Sequence, residues 1–243
     1  MPNLHDTCQR YLQHKHPEAM GAFLYGSAKE GRQTQFSDID LVVVYEEPVA
    51  IYREKARWDG SLFDTFVYDG EALHGAMVIA RNNGNAVLAQ SIRNADILGV
   101  SMLHAVPALE KIRGIAARLA NAPPLARSLQ NQRQLLTSML DDLRAIDAAR
   151  DRVFVLTDVF QCLIDIVMSK YGEMGGTKRY AARLLADKDP QLLEMLADSY
   201  REAVNGDAQR LLHIAQATLA IAGGELREGF RMKLPESLRI PLD

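Results

Sequence analysis

The stretch YGSAKEGRQTQFSDIDLVVVYEE, residues 25–47, decides the fold. It opens on a Gly-Ser pair, crosses a polar loop holding Gly31, and meets Asp38 and Asp40 at the mouth of an unbroken Leu-Val run. Such a run reads as a buried strand. Side chains at i and i+2 of a strand share a face, so Asp38 and Asp40 project together while Ile39 turns into the packing behind. Two carboxylates so placed repel each other and are costly to desolvate unless a positive charge lies between them. Oxygen-only ligands suit a hard divalent cation, Mg²⁺ most naturally, whose shell is completed by water and substrate phosphates.

The earlier half of the motif offers those phosphates a seat. Gly26 has no side chain, so a phosphate can approach its backbone closely. Ser27 brings a hydroxyl, and free amides at the start of a short helix from Ala28 favour an anion. Lys29 and Arg32 lie within reach as point-charge and bidentate partners. A third carboxylate is expected from a neighbouring strand. In GSLFDTFVYDG, residues 60–70, Asp64 is the charged residue inside a strand-like run, on one face with Leu62, Phe66 and Tyr68. Beside the Asp38/Asp40 strand it completes a two-metal clamp on attacking and leaving oxygens.

Working outward, residues 3–18 predict an opening helix, with Leu4, Cys8, Tyr11 and Leu12 at helical spacing. Strands are predicted at 22–25, 39–45 and 62–68, and a short edge strand at 95–102. From about Pro107 the strand-like runs vanish. Amphipathic helices follow, punctuated by NAPP, GEMGG, DKDP, NGD and AGG. The fold class expected is α+β, a small mixed-sheet domain over residues 1–108 followed by an all-α helical bundle over 109–243.

In that helical half, Asp158, Gln161 and Asp165 form a polar stripe at i, i+3 and i+7 on an otherwise apolar helix. A solvated face accounts for such a stripe. If it lines a cleft between the domains, Asp158 or Asp165 can serve as general base on an acceptor hydroxyl. Lys178 and Arg179 open a later helix, where a basic pair is unfavourable unless an anion neutralises it; a triphosphate contact from Lys178 is one reading and surface charge the other. The six histidines form no ligand pattern, and His14 and His16 are expected at a surface helix end.

The Gly-Ser pair, the glycine-bearing loop, Ser-Asp-Ile-Asp-Leu and the later strand aspartate resemble the nucleotidyltransferase superfamily that includes DNA polymerase beta. The small α/β domain followed by helices is similar to bacterial antibiotic nucleotidyltransferases, which act on aminoglycosides or lincosamides, and to minimal nucleotidyltransferases paired with helical toxin partners. The motif-bearing resemblance covers roughly residues 20–70. It implies that Asp38 and Asp40 hold the metals, that Asp64 shares one of them, and that Gly26 and Ser27 hold a triphosphate. Where many relatives carry an arginine after the Gly-Ser pair, this chain has Ala28 and Glu30.

Composition narrows the partners. The formal net charge is -3 over 243 residues; 9 basic and 13 acidic side chains precede about residue 108 and 19 and 18 follow it, so neither half is a basic arm or an acidic tail. No basic stripe announces nucleic acid or an anionic membrane. Cys8 and Cys162 are too few and too far apart for a disulfide framework. The polar amino terminus lacks the apolar core of a signal peptide, and no run of about 18 apolar residues occurs. A cytoplasmic location is the resulting expectation. The function expected is transfer of a nucleoside monophosphate, AMP from ATP with Mg²⁺, to a hydroxyl of a small-molecule acceptor, with release of pyrophosphate. The chain is also compatible with a homodimer. The alternative is an antitoxin-like or regulatory minimal nucleotidyltransferase acting on or binding a protein partner.

Overall fold

The computed structural model describes residues 3–32, 34, 37–99, 105–123, 126–146, 148–173 and 175–231. Helix α1 (Leu4–Lys15) leads into β1 (Gly21–Tyr25), a single turn α2 (Gly26–Lys29), β2 (Ile39–Tyr45), β3 (Tyr52–Trp58) and β4 (Ser61–Asp69). There follow α3 (Gly70–Asn82), α4 (Val87–Arg93), β5 (Asp96–Gly99) and α5 (Ala105–Asn121). The remaining described elements are helices: α6 (Ala126–Ala145), α7 (Ala149–Lys170), α8 (Lys178–Lys188), α9 (Pro190–Val204) and α10 (Gln209–Ile221). The fold is thus α+β, a mixed sheet with helices followed by further helices. No helix among the described residues is long and apolar enough to cross a membrane.

The strands form one sheet in the order β3-β4-β2-β1-β5, with β2 and β4 parallel and the other neighbours antiparallel. Strand β2 is central and covered on both faces, which is why its sequence is unbroken rather than alternating. Leu41 and Val43 pack with Cys8, Tyr11 and Leu12 of α1, whereas Val42 and Val44 pack with Leu73 and Met77 of α3 and Leu109 of α5. On the α1 face, Tyr11 stacks on Phe63 with ring centroids 3.9 Å apart, and its hydroxyl lies 3.1 Å from the Thr65 hydroxyl.

Strand β3 was not expected from the sequence. Its residues, YREKARW, are exposed almost throughout, because among the described residues it is an edge strand paired with β4 alone. The turn into β4 is the two-residue Asp59-Gly60, with φ values of 47° and 79°. Positive φ at both positions is the hairpin geometry that Asp-Gly favours, and it matches the twist of the flanking strands.

The chain divides into two compact units, one of residues 1–123 with 172–176 and the other of 124–171 with 177–243. The expected boundary at 108/109 therefore falls too early. Helix α5 belongs with the sheet because Leu109, Ala116 and Ala120 are buried in the same cluster as Phe23 and Val42. In the second unit, Leu136 and Leu140 of α6, Leu163 and Val167 of α7, Leu185, Leu196, Leu211 and Leu219 form a core of their own. The starts of α8 and α9 are capped by side chains: Thr177 accepts from the Tyr180 amide, and Asp189 from the Leu192 amide ahead of Pro190. Two smaller differences concern the first unit. His16 is buried, not at the surface, with Nδ1 3.0 Å from the Tyr45 hydroxyl. The edge strand expected at 95–102 is seen as β5 to Gly99; residues 100–102 lie outside the described residues.

Candidate active site

Parallel pairing of β2 with β4 sets Asp40 opposite Asp64, while Asp38 immediately precedes β2. One carboxylate oxygen from each of Asp38, Asp40 and Asp64 lies within 4.8 Å of the other two. Asp64 is only 3% exposed, so it is not a solvent-facing residue of a half-covered strand. Asp40 and Asp64 share the face of Val42 and Phe66, directed toward the α3/α5 side of the sheet. Three oxygen donors so gathered fit a hard divalent cation.

The Gly-Ser turn abuts this cluster. Tyr25, the last residue of β1, pairs with Asp40, and the chain then turns sharply through Gly26 at φ +78°. A Cβ on Gly26 would lie 2.1 Å from Oδ2 of Asp40. Glycine is required there both for its left-handed backbone and for its lack of a side chain. Ser27 follows in the first turn of α2.

The positive charges beside the triad come from β3. The Arg53 guanidinium makes a two-pronged contact with Asp64, Nε to Oδ1 at 2.8 Å and Nη2 to Oδ2 at 2.6 Å. It also lies over the Phe66 ring, 4.8 Å from the centroid. The Lys55 ammonium donates to Asp38 Oδ2 at 2.6 Å and stands 3.2 Å from Asp64 Oδ2. Neither cation was foreseen from the sequence, since both sit on the unexpected strand. The Asp59-Gly60 pair, flanked by Arg57-Trp58 and a strand-like run, was the signal that could have revealed them.

These cations divide the carboxylates electrostatically. The hydrogen bonds from Arg53 hold the Asp64 carboxyl below the usual range, against its burial. Asp40 is pushed up to about 7, first by burial and then by the charges of Asp38 and Asp64, which Lys55 and Arg53 offset only in part. Burial and the Asp40 charge also push the Tyr25 phenol up, so it stays neutral.

A pH dependence of stability follows. Because the folded pKa of Asp40 is raised, its contribution is fully favourable below the unfolded value of 3.8 and is lost as pH rises to about 7. In protein freed of divalent ions with a chelator, Asp40→Asn is expected to be more stable than wild type at pH 8. The advantage should be about 1–2 kcal/mol, well under the full linkage value because the carboxylate is partly exposed and screened. Thermal melts from pH 8 down to pH 4 should show it shrinking; a constant difference would mean that Asp40 does not titrate in this window.

The other residues singled out from the sequence are placed as follows. Lys29 donates to the Asn94 carbonyl and lies 3.2 Å from Asp96, so it is tied to the segment around β5. Arg32 is 3.6 Å from the Glu30 carboxylate. In the helical unit Asp158 and Gln161 are exposed, while Asp165 accepts a 2.5 Å hydrogen bond from Lys178. Lys178 also donates to the Gln161 carbonyl at 3.2 Å. Lys178, at the basic start of α8, is thus paired from within its own unit.

A family model described as "Polymerase beta, Nucleotidyltransferase" matches residues 6–96. The crystal structure of a nucleotidyltransferase-like protein from Exiguobacterium sibiricum 255-15 is similar, at 13% identity and a TM-score of 0.48, over 90% of this chain and 77% of that one. No curated protein matches the chain. The family match spans the segment that builds the triad and its glycine turn, from within α1 to the start of β5, and that segment is similar to the nucleotidyltransferase domain of the polymerase beta superfamily.

Proposed function

We propose that the protein is a Mg²⁺-dependent adenylyltransferase, moving AMP from ATP to a hydroxyl of a small molecule and releasing pyrophosphate. The observation that carries this reading is the meeting of Asp38, Asp40 and Asp64 beside a glycine whose missing side chain leaves Asp40 its room. Asp38, Asp40 and Asp64 would hold the metal, which when bound neutralises phosphate charge and orients the triphosphate. Gly26 lets phosphate oxygens approach the backbone, and the Ser27 hydroxyl donates to one of them. Arg53 keeps Asp64 ionised and aimed, so Asp64 is a poor proton acceptor. In the helical unit Asp165 is engaged by its ion pair with Lys178. Positioning and electrostatic stabilisation are what phosphoryl transfer chiefly asks of a protein. Nearly balanced charge in the helical half supports a small acceptor over nucleic acid.

The test is direct. Protein incubated with Mg²⁺, ATP labelled at the α-phosphate and a panel of hydroxyl-bearing small molecules should release pyrophosphate and transfer label. The Asp38→Asn, Asp40→Asn double variant should do neither. Label appearing on a protein band would move the acceptor to a protein side chain, and absence of Mg²⁺-dependent ATP binding would overturn the proposal. Ser27→Ala should weaken ATP binding about 10–100-fold, the loss of one hydrogen bond to a charged group.

A further inference from the structure

The triad is already bridged by a cation of the chain itself. The Lys55 ammonium joins Asp38, ahead of β2, to Asp64 on β4, at 2.6 Å and 3.2 Å. Both oxygens of Asp64 are already engaged, Oδ1 by Arg53 and Oδ2 by Arg53 and Lys55, so a divalent ion drawing on Asp64 competes with these cations. We propose that Lys55 is a built-in placeholder for the metal, surrendering the carboxylates when a metal-bound nucleoside triphosphate arrives to take its ammonium group. This rests on the metal-binding reading of the triad and adds to it a mechanism of discrimination.

The two β3 cations are built for different roles. Arg53 is fixed twice, by its fork on Asp64 and by the Phe66 ring beneath it, so it stays and holds Asp64 in place. Lys55 is a point charge on a flexible stem, half exposed on an edge strand, and it meets each of its two carboxylates through one oxygen only. Lys55 is the movable one. A metal ion alone must displace the ammonium and leave it beside a new divalent charge, which is repulsive. A metal carrying a triphosphate brings anionic oxygens that the displaced ammonium can bind. Metal and nucleotide therefore bind with positive coupling, and each raises the affinity of the other by the same factor.

Mn²⁺ serves as the probe, followed by electron paramagnetic resonance, with and without α,β-methylene-ATP, which cannot be cleaved at the reacting bond. Lys55→Met should bind Mn²⁺ alone about tenfold or more tightly than wild type, while the enhancement of nucleotide binding by Mn²⁺ shrinks. Lys55→Arg, which keeps the charge, should retain weak binding of Mn²⁺ alone. Equal or weaker binding of Mn²⁺ alone by Lys55→Met, with circular dichroism unchanged, would overturn the placeholder role. Asp38→Asn separates this from failure of the underlying reading. If Asp38→Asn binds Mn²⁺ with nucleotide as well as wild type does, the triad is not the metal site. If Asp38→Asn loses that binding while Lys55→Met behaves as wild type, the placeholder alone is refuted.

Discussion

Asp40→Asn is expected to lower nucleotidyl transfer by about 10²–10³-fold, the scale on which a preorganised charge-stabilising group acts. Of the three carboxylates, Asp40 is the one that neither β3 cation pairs with, so it offers its charge most freely to an incoming metal. Rates of pyrophosphate release, wild type against variant at saturating Mg²⁺, measure the effect. Raising Mg²⁺ further should not restore the rate, because the substitution removes a ligand rather than weakening access to it. Asp64→Asn makes an informative companion. Its folded pKa is depressed, so its contribution to stability is present above the unfolded value of 3.8 and is lost as pH falls through the folded one. At pH 8 without divalent ions, Asp64→Asn should therefore melt below wild type and Asp40→Asn above it. Two aspartates paired across one sheet should thus respond oppositely to the same substitution. A shared sign would mean that the β3 cations do not partition the charge as the geometry indicates.

Gly26→Ala should be nearly as damaging to activity, although it removes no functional group. The added Cβ would fall 2.1 Å from Oδ2 and 2.9 Å from Cγ of Asp40, where no Cβ can be accommodated. Asp40 must rotate away from the triad, or the turn must open. Gly31→Ala is the matched control: it has φ +67° and nothing within 4 Å of its Cβ. Both variants bear the left-handed backbone cost of about 1–2 kcal/mol, and only Gly26→Ala bears the collision. Gly31→Ala should melt slightly below wild type and keep Mn²⁺ and nucleotide binding. Gly26→Ala should melt lower still and lose stabilisation by Mn²⁺ with nucleotide. Equal melting temperatures for the two would show that the turn beside Asp40 has slack.

The parts of this site that were legible are those governed by a short-range rule. Strand periodicity brought Asp38 and Asp40 together, and the Leu-Val run identified β2 because burial on both faces leaves no alternation to hide it. Asp64 was found because a charge inside Leu-Phe-Thr-Phe-Val stands out. Strand β3 was missed for the opposite reason. An exposed edge strand buries little, so its sequence has no apolar signature, and its charges discourage edge pairing. Lys29 and Arg32 show another limit. Their positions after the Gly-Ser pair suggested phosphate contacts, yet the partner of a long charged side chain is chosen by tertiary neighbours. Lys29 meets Asn94 and Asp96, more than sixty residues away along the chain. The late boundary has a similar cause: α5 has the periodicity of any amphipathic helix, and only the clusters reveal which core it serves.

The two-residue Asp59-Gly60 turn has a consequence in time as well as in space. It joins β3 and β4 as a local hairpin, whereas β4 reaches β2 only through a parallel pairing that reaches past β3 in sequence. Hairpins close in about 1–10 μs, and non-local parallel pairing is slower. Asp64 is therefore expected to join β2 already held by Arg53 and Lys55, which arrive on the same hairpin. Asp64, unlike Asp40, then enters the sheet with its counter-charges beside it. The edge strand is an escort during assembly, delivering a buried charge with its counter-charges attached.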